Sequence, residues 1–240
     1  MPSLDQTPLT HLKTSYQPHN ALWMAKIAKA VYMKVSDEDE APNIDKIIAI
    51  LKADDQKFIG GVGFNAKSSQ GAIIQHEDYM VAAFRGTDEA ADWLDNINAL
   101  PKDGPLGSVH AGFHNALMDI WSAMRREIRK IRAQVAKDRE TKNLPKRALP
   151  LWITGHSLGA AMATLAAAHL VEADEPFFGV YTFGSPRCGD RDFARTYNVE
   201  AGKRTFRFQN NNDIVTRVPA RLMGYSHVGT FIYRLSGNVS

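Results

Sequence analysis

A five-residue pattern around residue 157 constrains the fold more than any other feature of the sequence. The pentapeptide Gly155-His156-Ser157-Leu158-Gly159 follows an apolar run over residues 149–154 and precedes an alanine-rich stretch. A serine between two glycines in this setting is typical of a nucleophile elbow, in which a strand turns sharply into a helix. The pattern predicts a sheet strand, an exposed serine hydroxyl at its carboxyl end and a helix after it.

Helical and extended patterns alternate along the rest of the chain. Apolar residues at helical spacing predict helices over residues 21–34 and 114–137, and a third helix is expected over 158–173. Segments rich in apolar and aromatic residues predict strands, at residues 58–64, 71–76, 78–85, 149–154, 179–183, 204–208 and 230–234. Strands alternating with helices favour an α/β fold with a mostly parallel central sheet flanked by helices.

Composition and length limit the class of protein. The 240 residues suit a single α/β domain over residues 1–240, with residues 1–20 as an N-terminal extension. The net charge is +3, from 29 basic and 26 acidic side chains, so no nucleic-acid partner is expected. The single cysteine, Cys188, cannot form an intramolecular disulfide.

Targeting signals are not visible in the sequence. The first 20 residues are polar and do not resemble a signal peptide, which favours a cytoplasmic location, with a secreted mature form as the alternative. No stretch reaches the roughly 18 to 20 apolar residues of a transmembrane helix. The basic face of the helix predicted over residues 114–137 is interpreted as a solvated surface.

A serine nucleophile needs further groups. Its hydroxyl is weakly nucleophilic, so a histidine must take the proton and an acid must orient that histidine. In α/β-hydrolases these residues follow the serine in the order acid, then histidine. Asp213 follows the strand predicted over residues 204–208, and His227 precedes the terminal strand. The order therefore predicts Asp213 as the acid and His227 as the base for Ser157.

Two other aspartates compete for the role of the acid. Asp190 and Asp192 also lie between Ser157 and His227, but a turn over residues 184–189 separates them from the preceding strand. Asp213 is therefore the preferred acid.

Two histidines have a spacing that could suit metal ligands. His110 and His114 are four positions apart and would face the same way on a helix. Gly112 between them favours a helix-start or packing role, and no nearby carboxylate or cysteine completes a ligand set. We therefore expect no metal and no cofactor.

Acyl transfer also requires donors for the oxyanion of the tetrahedral intermediate. The backbone N–H of Leu158, directly after Ser157, is one donor in an elbow of this kind. The best candidate for the second is Thr87, since Phe84-Arg85-Gly86-Thr87 combines a strand end with a glycine and a hydroxyl residue.

Six motifs together resemble the class 3 lipases, a family that includes fungal triacylglycerol lipases and feruloyl esterases. The motifs are Phe84-Arg85-Gly86-Thr87, His110-Ala111-Gly112-Phe113, the pentapeptide, Tyr181-Thr182-Phe183-Gly184-Ser185-Pro186-Arg187, Asn212-Asp213-Ile214-Val215 and His227-Val228-Gly229. The resemblance implies an α/β-hydrolase-like core, the triad Ser157, Asp213 and His227, and an oxyanion hole from Thr87 and Leu158.

The resemblance also implies a short lid over residues 88–107. Trp93, Leu94 and Ile97 form the apolar side of this segment, which would open onto a lipid interface. Two departures from the fungal pattern are Ala160, where a glycine is common, and the short separation between Asp213 and His227.

The expected activity is hydrolysis of lipid esters through an acyl-enzyme, with a lipid or small ester as the substrate and a transient contact with lipid surfaces. A feruloyl or other polar-ester esterase is the alternative, because it uses the same catalytic groups. A non-catalytic scaffold on the same fold is a further alternative, which loss of a triad residue would indicate.

Overall fold

The computed structural model describes residues 7–87, 100–145, 147–210 and 215–234. Trp93, Leu94 and Ile97 of the predicted lid and the predicted acid Asp213 lie outside these residues. The helices of the described part are α1 (Pro18–Ala30), α2 (Ile44–Lys52), α3 (Ala111–Thr141), α4 (Leu158–Glu172) and α5 (Arg191–Glu200). Its strands are β1 (Phe58–Ala66), β2 (Ser69–His76), β3 (Met80–Phe84), β4 (Pro101–Gly104), β5 (Gly107–His110), β6 (Leu151–His156), β7 (Gly179–Phe183), β8 (Thr205–Asn210) and β9 (Thr230–Arg234).

Seven of these strands form the central sheet, in the order β1-β2-β3-β6-β7-β8-β9. The first three strands pair antiparallel, whereas β3, β6, β7, β8 and β9 pair parallel to one another. The prediction of a mostly parallel sheet is confirmed. Because β3, β6, β7 and β8 run in one direction, the loops that follow them all leave from the same edge of the sheet. We call this the carboxyl edge.

Helices cover both faces of the sheet, as predicted. Along β3, Met80, Ala82 and Phe84 contact the core beneath α3, α4 and α5. The alternate residues Val81 and Ala83 contact the core beneath α1 and α2. Successive side chains of a strand point to opposite faces, so a strand buried on both faces reads as a continuous apolar run.

The helix after the pentapeptide packs in the middle of this arrangement. Its alanines, among them Ala160, Ala163 and Ala167, are fully buried. Small side chains let the helix approach both the sheet and α3, which explains why its sequence is apolar on every side.

Two segments differ from the expectation. The last part of the predicted lid folds as strand β4, which pairs with β5 in a small hairpin instead of forming a loop. Leu106 and Gly107 allow the tight turn between them, with φ angles of 65° and 149°. Part of the predicted N-terminal extension belongs to the domain, since α1 begins at Pro18 and Leu9 is buried in the core.

No helix in the described ranges is long and apolar enough to cross a bilayer.

Candidate functional site

Ser157 lies in a strained turn between β6 and α4. Its φ and ψ angles are 54° and −124°, a conformation that side-chain-bearing residues rarely adopt. A Cβ atom at Gly155 would overlap the carbonyl of Gly159, and one at Gly159 would overlap the carbonyl of Phe84. Both glycines of the pentapeptide are therefore required by close backbone contacts, and the predicted elbow geometry is present.

The hydroxyl of Ser157 is not exposed, contrary to the expectation. The residue is 1% exposed, and its Oγ has no hydrogen-bond partner in the part of the chain that the structure describes. Gly86 lies directly against it, because a Cβ atom at Gly86 would stand 3.2 Å from the Cβ of Ser157. A buried hydroxyl without a hydrogen-bond partner lowers the stability of the fold. Such unpaired groups are expected at sites where the side chain takes part in a reaction.

The two predicted oxyanion donors lie on neighbouring strands. Strand β3 pairs with β6 in parallel register, with Phe84 opposite Gly155. The segments that carry Thr87 and Leu158 therefore leave the sheet side by side at the carboxyl edge. Leu158 opens α4, where backbone N–H groups have no acceptor within the helix. The side-chain Oγ1 of Thr87 is buried and unpaired among the described residues.

Tyr32 is a residue of this site that sequence analysis did not identify. Its hydroxyl accepts a hydrogen bond from the backbone N–H of Gly86 at 3.1 Å and lies 3.0 Å from Nδ1 of His156. It thereby connects the segment before Thr87 with the residue before Ser157. The sequence contains no local signal for this role, because Tyr32 follows the end of α1 and reaches the site only through the tertiary fold.

An apolar cavity of about 420 Å³ opens beside the elbow. Its lining consists of one side of α1 and two residues at the carboxyl edge: Ala25, Ala28, Lys29, Tyr32, His156 and Phe183. Binding sites for small molecules commonly fall in this range of volume and are mostly apolar. The cavity can hold an apolar part of a substrate whose ester lies at Ser157.

The structure does not bring His227 into a hydrogen bond with Ser157. Nε2 of His227 lies 2.9 Å from the carbonyl oxygen of Thr216. A neutral imidazole that donates from Nε2 to this carbonyl cannot accept the serine proton at the same nitrogen. Residues 225–229 lead from this carbonyl towards β9, whose first residue, Thr230, lies beside Phe206 near the start of β8. Ser226, directly before His227, still donates its N–H to the carbonyl of Gly189 in the loop after β7 at 2.8 Å, so the histidine lies near the carboxyl edge, before the chain turns back towards β9.

The surroundings of His227 disfavour its charged form. Burial, followed by the positive charges of Arg207 and Arg187, lowers its pKa to about 3. A catalytic base that works near neutral pH instead needs a neighbour that stabilises its protonated form. In this conformation the neutral ring donates to the Thr216 carbonyl, and the predicted acid Asp213, which would stabilise the protonated form, lies outside the described residues.

Arg187 supports the same segment, just downstream of Asp213. Its backbone N–H donates to the carbonyl of Val218 at 2.9 Å, and its Nη1 donates to the carbonyls of Arg217 and Pro219 at 2.5 and 2.8 Å. The Gly184-Ser185-Pro186-Arg187 turn thus holds the chain where it emerges after β8.

The alternative candidates have structural roles. Asp190 caps α5 by accepting from the backbone N–H of Phe193 at 2.8 Å, and Asp192 pairs with Arg195. His110 caps α3 by accepting from the backbone N–H of Phe113 at 3.3 Å, which confirms the helix-start role predicted for it.

Nε2 of His114 lies 3.3 Å from Nε2 of His169, and the described ranges contain no cluster of side chains suited to a metal ion.

Three histidines make stability depend on pH: His110, which is buried, and His169 and His227, which are half-buried. Burial lowers the pKa of His110 and His169 to about 4, and that of His227 to about 3, from 6.5. As the pH falls below 6.5, the unfolded chain binds these protons first, so stability decreases. We expect a loss of up to about 2 kcal/mol per histidine by pH 5. Denaturant unfolding at pH 7 and pH 5 measures this loss of stability. An unfolding midpoint that does not change with pH would contradict the prediction.

The sequence of this chain resembles those of several lipases and a phospholipase. Residues 81–223 match the family model described as lipase (class 3). The secreted mono- and diacylglycerol lipase 1 of Fusarium solani is 31% identical over 192 residues, which cover 78% of this chain and 51% of that protein. The chloroplastic phospholipase A(1) DAD1 of Arabidopsis thaliana is 34% identical over 151 residues, which cover 58% of this chain and 33% of that protein. The chain thus spans about half the length of the first relative and a third of the second.

Solved lipase structures share the fold. A mono- and diacylglycerol lipase from Aspergillus oryzae superposes with a TM-score of 0.70 at 22% identity, covering 94% of this chain and 82% of that one. A triacylglycerol lipase described as having a serine protease triad gives a TM-score of 0.67 at 23% identity, covering 89% of this chain and 78% of that one. The fold is α/β-hydrolase-like, and the chain belongs to the class 3 lipase family.

Proposed function

We propose that this protein hydrolyses carboxylic esters of lipids through an acyl-enzyme on Ser157. The observation that carries the proposal is the strained, unpaired Ser157 between the segments of Thr87 and Leu158. The serine oxygen attacks the ester carbonyl, and the two backbone N–H groups stabilise the oxyanion. The alcohol leaves with a proton, and water then releases the acid by the same route.

The acid in this proposal is Asp213, by its position after β8. For the base, sequence order and described geometry disagree. Order selects His227, but Nε2 of that residue is engaged by Thr216 and no described group pairs with the Ser157 hydroxyl. For His227 to act as the base, its ring would have to leave this carbonyl. We infer that the His227 ring leaves the Thr216 carbonyl during the reaction and takes the Ser157 proton, with Asp213 as its acid.

Replacement of His227 by glutamine separates these two roles. Glutamine can still donate to the Thr216 carbonyl but cannot act as a base near neutral pH. We expect kcat for a soluble p-nitrophenyl ester to fall on the order of 10⁴-fold or more, because the variant lacks the catalytic base. A loss of less than about tenfold, with an unchanged melting temperature, would leave His227 with only the structural role.

Acyl chains are the expected occupants of the cavity beside Tyr32. The relatives named above are lipases and a phospholipase, and the cavity is almost entirely apolar. Replacing Ala25 by phenylalanine narrows it, so we expect several-fold lower activity on long-chain than on short-chain p-nitrophenyl esters. Ala49, exposed on α2, gives the matched control. An unchanged chain-length profile in the Ala25 variant would place the acyl group elsewhere.

A polar-ester esterase is the competing function. Hydroxycinnamate esters measured beside acyl esters of increasing length distinguish the two, and a preference for hydroxycinnamates would replace lipids as the substrate class. For the location we propose a secreted mature form, because the Fusarium solani relative and a Penicillium cyclopium relative are named as secreted. The cytoplasmic expectation gains no comparable support.

A further inference from the structure

Two adjacent apolar side chains project from a short turn near the candidate site. In the 3-10 turn Arg221–Met223, Leu222 is 101% exposed and Met223 is 58% exposed. Single exposed apolar residues are ordinary on protein surfaces, but neighbouring ones at a tip are characteristic of contact sites. We call residues 220–224 the apolar tip.

The backbone of the apolar tip is held in this shape. Met223 donates its N–H to the carbonyl of Ala220 at 2.9 Å, and Gly224 donates to that of Arg221 at 3.0 Å. Gly224 ends the turn with a φ of 87°, which glycine adopts without strain. Just before the tip, Arg187 binds the carbonyl of Pro219. The exposure of Leu222 therefore results from an ordered turn.

The apolar tip lies at the same edge of the sheet as Ser157. The segment that leads to it follows the carboxyl end of β8, and Val218 within that segment pairs with Arg187, which follows the carboxyl end of β7. Ser157 follows the carboxyl end of the neighbouring parallel strand β6. A surface that binds the tip therefore comes to rest against the edge that carries the nucleophile.

The charge around the tip is positive. Arg217 and Arg221 are exposed, and residues 215–240 contain no aspartate or glutamate. Burial, and then the charge of nearby Arg221, lowers the pKa of Arg187. Within the described ranges, no carboxylate forms an ion pair with these three arginines. Apolar side chains flanked by arginines that pair with no described carboxylate suit an anionic lipid surface, which takes both kinds of group at its interface.

We propose that Leu222 and Met223 insert into the surface of an anionic lipid aggregate, with Arg217 and Arg221 at its headgroups. The use of this contact rests on the proposed function, because it would bring Ser157 to esters in the aggregate. The binding itself is measurable without catalysis. A second copy of the chain on the tip is the competing occupant.

Vesicle sedimentation with full-length protein carrying Ser157→Ala tests the proposal, since the lipid then stays intact. We expect binding to vesicles of phosphatidylcholine with phosphatidylglycerol, and weaker binding to phosphatidylcholine alone. Leu222→Asp with Met223→Asp should lower the partition coefficient by about tenfold or more. Arg217→Gln with Arg221→Gln should remove the preference for the anionic vesicles and its salt dependence. The matched control is Val199→Asp, since Val199 is 78% exposed on α5.

Three results would overturn the proposal: no binding by the parent protein, equal binding by the Leu222 and Met223 variant, or an equal loss in the Val199 control. A dimer in solution that the tip substitutions dissociate, without vesicle binding, would assign the tip to a second copy. With Ser157 intact, the tip substitutions should leave hydrolysis of a soluble ester unchanged. If the proposed function is wrong, no variant hydrolyses that ester, whereas the vesicle results stay the same.

Discussion

Replacing Ser157 by alanine is expected to abolish ester hydrolysis. Removal of the nucleophile from a serine hydrolase lowers kcat on the order of 10⁴-fold or more, because the oxyanion donors alone give only weak catalysis. The substitution should leave the fold intact, since the hydroxyl has no hydrogen-bond partner among the described residues. Steady-state rates with p-nitrophenyl butyrate measure the effect.

Ser69 provides the matched control for this experiment. It is also fully buried, and its hydroxyl is also unpaired among the described residues, but it lies at the start of β2. Ser69→Ala should retain activity close to that of the parent protein. Comparable rates for the Ser157 and Ser69 variants would remove the basis for an acyl-enzyme on Ser157 and would favour a non-catalytic scaffold.

The second large effect concerns the glycine after the nucleophile. A Cβ atom at Gly159 would overlap the backbone carbonyl of Phe84, so Gly159→Ala must push α4 away from β3. We expect a loss of about 2–4 kcal/mol in the free energy of unfolding, together with a large loss of activity because Leu158 moves with the helix. Urea unfolding followed by circular dichroism gives the stability change.

Gly60→Ala is the control for this substitution. Nothing lies within 4 Å of a Cβ atom built at Gly60. The free energy of unfolding of the Gly60→Ala variant should differ from that of the parent protein by less than about 1 kcal/mol. If Gly159→Ala lowered the free energy of unfolding no more than Gly60→Ala, the close approach of α4 to β3 would not explain why position 159 is a glycine.

The elements that sequence patterns predicted well are those with strong local signals. The patterns over residues 179–183 and 230–234 predict strands, and the structure has β7 and β9 at these positions. The elbow is predictable because backbone contacts with nearby residues and with the adjacent strand require glycine at both positions. Local propensity and tertiary packing favour the same structure at these positions.

The features that the sequence did not reveal depend on contacts between distant segments. Tyr32 reaches Gly86 only because α1 packs on the face of the sheet beside β3 and β6. The contact of His227 with Thr216 depends on the path of the segment between β8 and β9, which residue order does not define. Order along the chain identified His227 as a candidate but could not determine which group its ring would face.

The central claim is that Ser157 is the nucleophile, and covalent labelling tests it most directly. An alkyl fluorophosphonate transfers its phosphonyl group to an activated serine oxygen with loss of fluoride, and mass spectrometry of the digested protein locates the adduct. The account predicts one adduct, on Ser157, and none in the Ser157→Ala variant. An adduct on another residue, or labelling that persists in this variant, would contradict it.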